Sequence, residues 1–262
     1  MGRIQEAQTI KQFGLQAGDR VGVLLAHPDD ESLLVGGLLH ALKAGGVVVH
    51  AMTATNGEAS TKGNPDFVRE GARQIESVAA LSKLGIDANH RHYFNLPDSE
   101  LHLPHARERL VSLLNAVVEH KRLSHLFTLG TEGYDGHEDH IQTHQAAVEV
   151  QRLRHISGKV LAVWELQRDT PGEAFVPVEP TQKLALAAEH DQFGIWPLHT
   201  SLEALPQVLY ALHGHLLDEP TYREVQMYGP LLQEETYRSV TPNTVTTDDS
   251  MHNSSVMVSM AI

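Results

Sequence analysis

No cysteine occurs in the 262 residues, which removes disulfides, thiolate metal ligands and cysteine nucleophiles together. No segment is apolar for long enough to cross a bilayer. The opening stretch MGRIQEAQTIKQFGLQAGDR alternates polar and apolar residues, without the apolar core of a signal peptide. Glu6 stands where a myristoylation motif after Gly2 needs Ser or Thr. Positive charge is also scarce. With 20 Lys and Arg against 33 Asp and Glu, the net charge is −13, so nucleic acid and anionic membrane are poor partners. A soluble, cytoplasmic protein is expected.

What is present is a repeating alternation of short apolar runs and longer helical patterns. RVGVLLAH (20–27), VVVHAMTAT (47–55), HRHYFNL (90–96), SHLFTLG (124–130) and KVLAVWEL (159–166) read as five strands. Between them ESLLVGGLLHALKAGG, DFVREGARQIESVAALSKLG (66–85), ARERLVSLLNAVVEHKR (106–122) and a stretch from Glu138 to His155 read as helices. In the second, Phe67, Val68, Ile75, Val78, Leu81 and Leu84 recur at helical spacing, which predicts one face packed on a sheet.

Strand–helix alternation implies right-handed crossovers and an α/β fold: three Rossmann-like layers, a mostly parallel sheet with helices on both faces. Residues 1–166 are read as this core. Residues 167–238 form a C-terminal helical and loop portion of the same domain on the substrate side, with helices over 181–194 and 201–218. The Ser/Thr-rich stretch 239–262 reads as a flexible tail.

Two segments concentrate chemistry, each at the carboxyl end of an expected strand, where such sheets bind ligands. LLAHPDDE (24–31) stacks His27 against Asp29, Asp30 and Glu31. Clustered carboxylates cost free energy unless one is protonated or a cation lies between them. GYDGHEDHIQTH (133–144) adds three histidines and more acids. Its spacing is not His-Glu-x-x-His, because His140 comes one residue too early. Either segment alone could be a helix cap, its acids stabilised by the positive end of the helix dipole. Together they offer His27, one acid of the 29–30 pair and a histidine of 137–144, a two-histidine, one-carboxylate set that suits a catalytic zinc with an open position. The second acid then lies beside the water as a base. The other histidines, including His40, His50, His125, the HRH of 90–92 and the HGH of 213–215, read as core or surface residues without a chemical role.

At these residues the chain resembles the LmbE/PIG-L superfamily of metal-dependent N-deacetylases. AHPDDE followed by GG at 36–37, TNGEAS (55–60), VREGARQIESVAALSKLGI (68–86), NLPD (95–98) and HEDH (137–140) follow in the family's order, over roughly residues 20 to 195. The resemblance implies that His27, Asp30 and His140 hold Zn2+, with Fe2+ as an alternative metal. It makes Asp29 the general base and His137 the group that stabilises the oxyanion, and it assigns Arg69 and Asp98 to contacts with the sugar. A helix ion pair for Arg69 with Glu70 or Glu76, and a turn role for Asp98 after Pro97, stand beside these as equal readings. The implied reaction is hydrolysis of an N-acetyl amide on a small sugar conjugate, an N-acetylglucosaminyl group foremost, and related enzymes are often homo-oligomers. One departure stands out. Some relatives carry a mobile tyrosine two residues before the oxyanion histidine; here that position is Asp135, and the tyrosine is Tyr134.

Three other uses of the same residues can be weighed. A non-haem iron oxygenase employs a similar His/Asp/His set, but usually on a barrel of antiparallel strands, and it leaves Asp30 without a task. A non-catalytic metal binder has no need of the second acid. A dinucleotide-binding enzyme requires close-set glycines after the first strand, where His-Pro-Asp-Asp stands instead.

Overall fold

A computed structural model describes residues 9–59, 72–167, 172–177 and 234–241. Its strands are β1 (Arg20–Leu25), β2 (Val48–Thr55), β3 (Arg91–Leu96), β4 (His125–Leu129), β5 (Ala162–Gln167), β6 (Ala174–Pro177) and β7 (Glu234–Val240). The helices are α1 (Asp30–Leu33), α2 (Gly36–Ala44), α3 (Ala72–Lys83), α4 (Pro104–Lys121), the one-turn α5 (Gly133–Gly136) and α6 (Glu138–Ile156). All seven strands form one sheet in the order β3-β2-β1-β4-β5-β7-β6. β1 to β5 run parallel, and β7 lies antiparallel between β5 and β6. The fold is the expected α/β sheet flanked by helices.

Period-two alternation divides the core. Val21, Val23 and Leu25 of β1 face one side with Phe13, Leu38, Leu42 and Phe127, beneath α2. Leu24 faces the other side with Met52, Leu110, Leu114, Leu126 and Val150, beneath α4 and α6. Burial on both faces explains why β1 reads as a continuous apolar run. On α4 the buried residues Ala106, Leu110, Leu114 and Val118 recur every four positions, which makes the inward stripe. β1 has β2 on one side and β4 on the other. The strand order therefore reverses at β1, and the crevice beyond the carboxyl ends of β1 and β4 is the place such folds keep for a ligand.

Several expectations need correction. β1 stops at Leu25, two residues before His27. The helix expected after HPDD is two helices, broken at Leu34 and Val35. β5 begins at Ala162, where its pairing with His125 of β4 begins, and Val160 before it is exposed. Helix α3 is rotated from its expected phase: Ile75 is 56% exposed, while Ala72, Arg73, Glu76, Ser77, Ala80 and Leu81 are buried. That inward stripe is small and polar because it meets the functional crevice as well as the core. The sheet also takes up residues 234–240 as β7, a strand not anticipated, which includes Ser239 and Val240 from the expected tail.

β7 is tied to the start of α2 by one carboxylate. Glu235 is fully buried and accepts hydrogen bonds from the backbone N–H groups of Gly37 and Leu38, both at 2.8 Å, at the start of α2. The first N–H groups of a helix have no partner within it, and an anion there is also favoured by the dipole. Tyr237 Oη donates to the same carboxylate at 3.0 Å. The helices expected over 181–194 and 201–218, the residues of α3's expected start and Arg69 lie outside the described residues. Among the described residues, no helix is long and apolar enough to cross a membrane.

Candidate metal and catalytic site

The turn after β1 brings His27, Asp29 and Asp30 into the crevice, all three less than a tenth exposed. Asp30 is fixed from below: its Oδ2 accepts from the N–H of Ala26 at 3.1 Å and of His27 at 2.8 Å. Asp29 adopts φ 125°, a backbone region that favours glycine and clusters at functional positions. Its own N–H donates to Glu31 Oε2 at 3.1 Å. From the other side of the crevice, the first turn of α6 delivers His140, 3% exposed, with His137 on the exposed rim.

Three ligand side chains converge. His27 Nδ1 lies 3.1 Å from His140 Nε2 and 3.8 Å from Asp30 Oδ2, and His140 Nε2 lies 3.3 Å from Asp30 Oδ1. Ligands on one tetrahedral zinc, with bonds of about 2.0–2.2 Å, stand roughly 3.3–3.6 Å apart. The outward nitrogens settle the tautomers. His27 Nε2 faces Asp98 Oδ1 at 3.2 Å and Asp139 Oδ2 at 3.3 Å, and His140 Nδ1 faces Asp135 Oδ1 at 2.8 Å and the Gly133 carbonyl at 3.0 Å. Carboxylates and carbonyls only accept, so these outward nitrogens carry the hydrogens. Two imidazole nitrogens and a carboxylate then point at one another, an arrangement that a bound metal ion, or a proton held between them, satisfies. The donor set therefore fits a divalent metal, with each histidine steadied by an outer partner.

The electrostatics agree. Burial pushes the pKa of His27 down, but hydrogen bonds to Asp139 and Asp98 and the charge of Asp30 outweigh it and raise the value to about 9. His140 is likewise raised: burial opposes, and Asp30 and Asp135 win. Burial pushes Asp30 up, but His140 and His27 hold it well below the usual carboxylate range. The pocket thus favours positive charge among its carboxylates.

His137 behaves differently. Its Nδ1 accepts the Asp139 N–H at 3.2 Å, which leaves the hydrogen on Nε2. Burial, and then the charges of His27 and His140, lower its pKa. A neutral ring 4.6 Å centroid to centroid from His27 is placed as a hydrogen-bond donor.

Of the residues singled out from the sequence, the structure brings together His27, Asp29, Asp30, Asp98, His137 and His140. Arg69 lies outside the described residues. Three contributors escaped the sequence reading. Arg73 is buried and donates to the carbonyls of Pro28 at 2.9 Å and Gly57 at 3.1 Å and to the Asp29 carboxylate. The small-residue stripe Ala72–Ser77–Ala80 marks the inward face that carries it. Asp139, fully buried, accepts from the N–H of Ser99 at 2.6 Å and of Leu101 at 3.1 Å as well as facing His27. Its capping position at the start of α6 had offered a sufficient explanation. Asp135 is the third.

Comparison with known proteins follows the same residues. Residues 23–151 match the family model PIG-L, GlcNAc-PI de-N-acetylase. The 1D-myo-inositol 2-acetamido-2-deoxy-alpha-D-glucopyranoside deacetylase of Corynebacterium glutamicum is 31% identical over 160 residues, covering 52% of this chain and 55% of the relative. The chain spans about half the length of the curated relatives it matches. Among solved structures, the N,N'-diacetylchitobiose deacetylase of Pyrococcus horikoshii is similar with a TM-score of 0.62 and 21% identity, over 85% of this chain and 84% of that one. The 4-carboxy-2-hydroxymuconate hydratase GalB of Pseudomonas putida is similar with a TM-score of 0.57 and 17% identity, over 87% and 98%. Likeness at these identities establishes a shared fold, and a hydratase beside a deacetylase illustrates that the fold alone does not select the reaction.

Proposed function

We propose, from the match of residues 23–151 to the PIG-L family model, that the chain is a member of that family and hydrolyses the N-acetyl amide of a small sugar conjugate, an N-acetylglucosaminyl group foremost. The observation that carries this reading is the convergence of His27 Nδ1, His140 Nε2 and Asp30 with the second acid, Asp29, beside them. His27, Asp30 and His140 would hold a divalent metal, zinc first and iron(II) as the alternative. Such an ion acts as a Lewis acid that acidifies water and polarises an acyl carbonyl.

The residues of the chain supply the rest. Arg73 engages Oδ2 of Asp29, which orients the carboxylate that takes the proton of the attacking water and returns it to the departing amine. His137 donates Nε2–H to the oxyanion that develops as the carbonyl is attacked. The resemblance assigns Asp98 to the sugar subsite; in this fold its Oδ1 faces His27 Nε2 at 3.2 Å and its Oδ2 holds the Ala59 N–H at 2.9 Å, so its role is to steady the metal ligand His27. Arg69 is assigned to that subsite by resemblance alone. With Asp30, rather than Asp29, as the carboxylate of the triad, an oxygenase-type use leaves Asp29 without a task, and the parallel sheet supports the hydrolase reading. The substrate is a small molecule rather than a nucleic acid, and the protein is proposed to act in the cytoplasm, as a homo-oligomer in keeping with its relatives.

The test is amine release from a panel of N-acetylglucosaminides by zinc- or iron(II)-loaded protein, with Asp29→Asn in parallel. Release that collapses in the variant supports the activity and its base. Release that persists in Asp29→Asn removes the base from the mechanism, and no release from any N-acetylated sugar overturns the proposed activity.

A further inference from the structure

The connection between β4 and α6 makes three left-handed bends within four residues: Gly133 at φ 64°, Tyr134 at 65° and Gly136 at 83°. Only glycine fits the first, since a Cβ there would come within 2.9 Å of His140 Cβ and 3.1 Å of the Ile141 nitrogen. Tyr134 is not glycine, and its backbone conformation carries a cost. The bend turns its ring into the core beneath α2, where it is 4% exposed. It also turns Asp135 the opposite way, toward the crevice. The tyrosine is thus used for packing, and the carboxylate of Asp135 takes the side toward the crevice.

One oxygen of that carboxylate does two things. Asp135 Oδ1 accepts from His140 Nδ1 at 2.8 Å and from the backbone N–H of His137 at 2.9 Å. The first bond fixes the His140 ring so that Nε2 faces Asp30 and His27. The second fixes the backbone of the residue that carries the oxyanion donor. The Gly133 carbonyl, 3.0 Å from the same Nδ1, is a neutral second acceptor that the bend also supplies. The Asp135 side chain is 13% exposed, so water competes little for these bonds.

We propose that Asp135 is a positioning residue that couples the two halves of the site, setting the metal ligand His140 and the oxyanion donor His137 from a single carboxylate oxygen. This rests on the metal-dependent reading of the site but not on the identity of the substrate. A carboxylate behind a ligating histidine raises its basicity and locks its orientation, and its loss typically costs 10–100-fold in metal affinity. The retained Gly133 carbonyl places Asp135→Ala toward the lower part of that range, about 10- to 30-fold. Asp135→Asn keeps an acceptor oxygen without the charge and restores part of the loss.

The experiment compares wild type, Asp135→Ala and Asp135→Asn as full chains, with far-UV circular dichroism confirming the fold. Zinc affinity is measured by chelator competition, and ligand geometry by the visible absorption bands of the cobalt(II)-loaded protein. The expected result is zinc binding weakened in Asp135→Ala, partly rescued in Asp135→Asn, with cobalt bands shifted in the alanine variant. Unchanged affinity and unchanged bands in both variants overturn the link to His140. The link to His137 is read from amide hydrogen exchange at His137, which is expected to quicken in Asp135→Ala, and from kcat at saturating zinc, expected to fall with KM held. Unaltered exchange overturns that half. Should the wild type release no amine from any substrate, the proposed activity fails while affinity, bands and exchange still decide the role of Asp135. Should the alanine variant not fold, Asp135→Asn carries the same comparison: a wild-type zinc affinity, cobalt spectrum and exchange rate there refute the proposal.

Discussion

Acidification should unlock this fold at a site remote from the metal crevice, near the amino ends of β1 to β3. Arg20 Nη2 lies 3.1 Å from His50 Nε2, and His50 Nδ1 lies 3.1 Å from His92 Nε2. A guanidinium only donates, so His50 accepts on Nε2, carries its hydrogen on Nδ1 and passes it toward His92. The chain of bonds joins three adjacent strands and requires neutral imidazoles. Burial, followed by the charges of His90, His92, Arg20 and Lys121, lowers the pKa of His50 from 6.5 to about 3. Burial, then Lys121 and His90, lower His92 to about 4. Both lie below the unfolded value, so the unfolded chain binds more protons in the interval between. Stability from this pair is complete above the unfolded value and is lost as pH falls from there toward the folded values. For His50, 1% exposed, a pH about 1.5 units below the unfolded pKa costs about 2 kcal/mol. His92 is less covered, and solvent screening reduces its share. For a chain of this size about 2 kcal/mol corresponds to about 4–8 °C in Tm. The assay is thermal unfolding near pH 8 and near pH 5, with chelator present, of wild type and His50→Gln. Glutamine retains one acceptor and one donor but does not titrate. The wild type should lose about 4–8 °C more than the variant between the two conditions. Equal losses would refute the reasoning.

Three further expectations concern the site and the sheet. Zinc at about 100-fold its Kd should raise stability by about 2.7 kcal/mol, or about 5–11 °C in Tm, and His140→Ala should abolish the shift; a shift that survives in the variant would place the metal elsewhere. Asp29→Asn should lower amine release about 10²–10⁴-fold while keeping the zinc-induced rise in Tm, so parallel loss of both would mean that Asp29 is a ligand rather than a base. Glu235→Gln sets an amide against the N–H groups of Gly37 and Leu38 and should cost about 2–4 kcal/mol in denaturant unfolding, whereas a change under about 0.5 kcal/mol would show that the cap contributes nothing.

The alternation of strands and helices was legible because local periodicity reports which side chains face inward: Val21, Val23 and Leu25 against Leu24 on β1, and Leu110, Leu114 and Val118 on α4. Both halves of the site were legible too, since acids and histidines crowded behind an apolar run conflict with burial unless they have a purpose. The phase of α3 was not. Ile75 looked inward by hydrophobicity, yet Arg73 is the residue held inside, because Asp29 and the carbonyls of Pro28 and Gly57 satisfy its charge. Nor was the role of Asp139, whose partner His27 is defined only once the helix and the strand lie side by side, or of Asp135, whose contact with His140 needs the positive-φ bend at 133–136. The sequence by itself determined the five parallel strands, most of the helices between them and the kinds of atom available for a metal. Tertiary structure decided that β4 lies beside β1, so that ligands 113 residues apart meet at 3.1 Å. It also decided which nitrogen of each histidine points inward. Those outcomes depend on long-range pairing and on hydrogen-bond partners from other segments, and a local pattern carries no record of either.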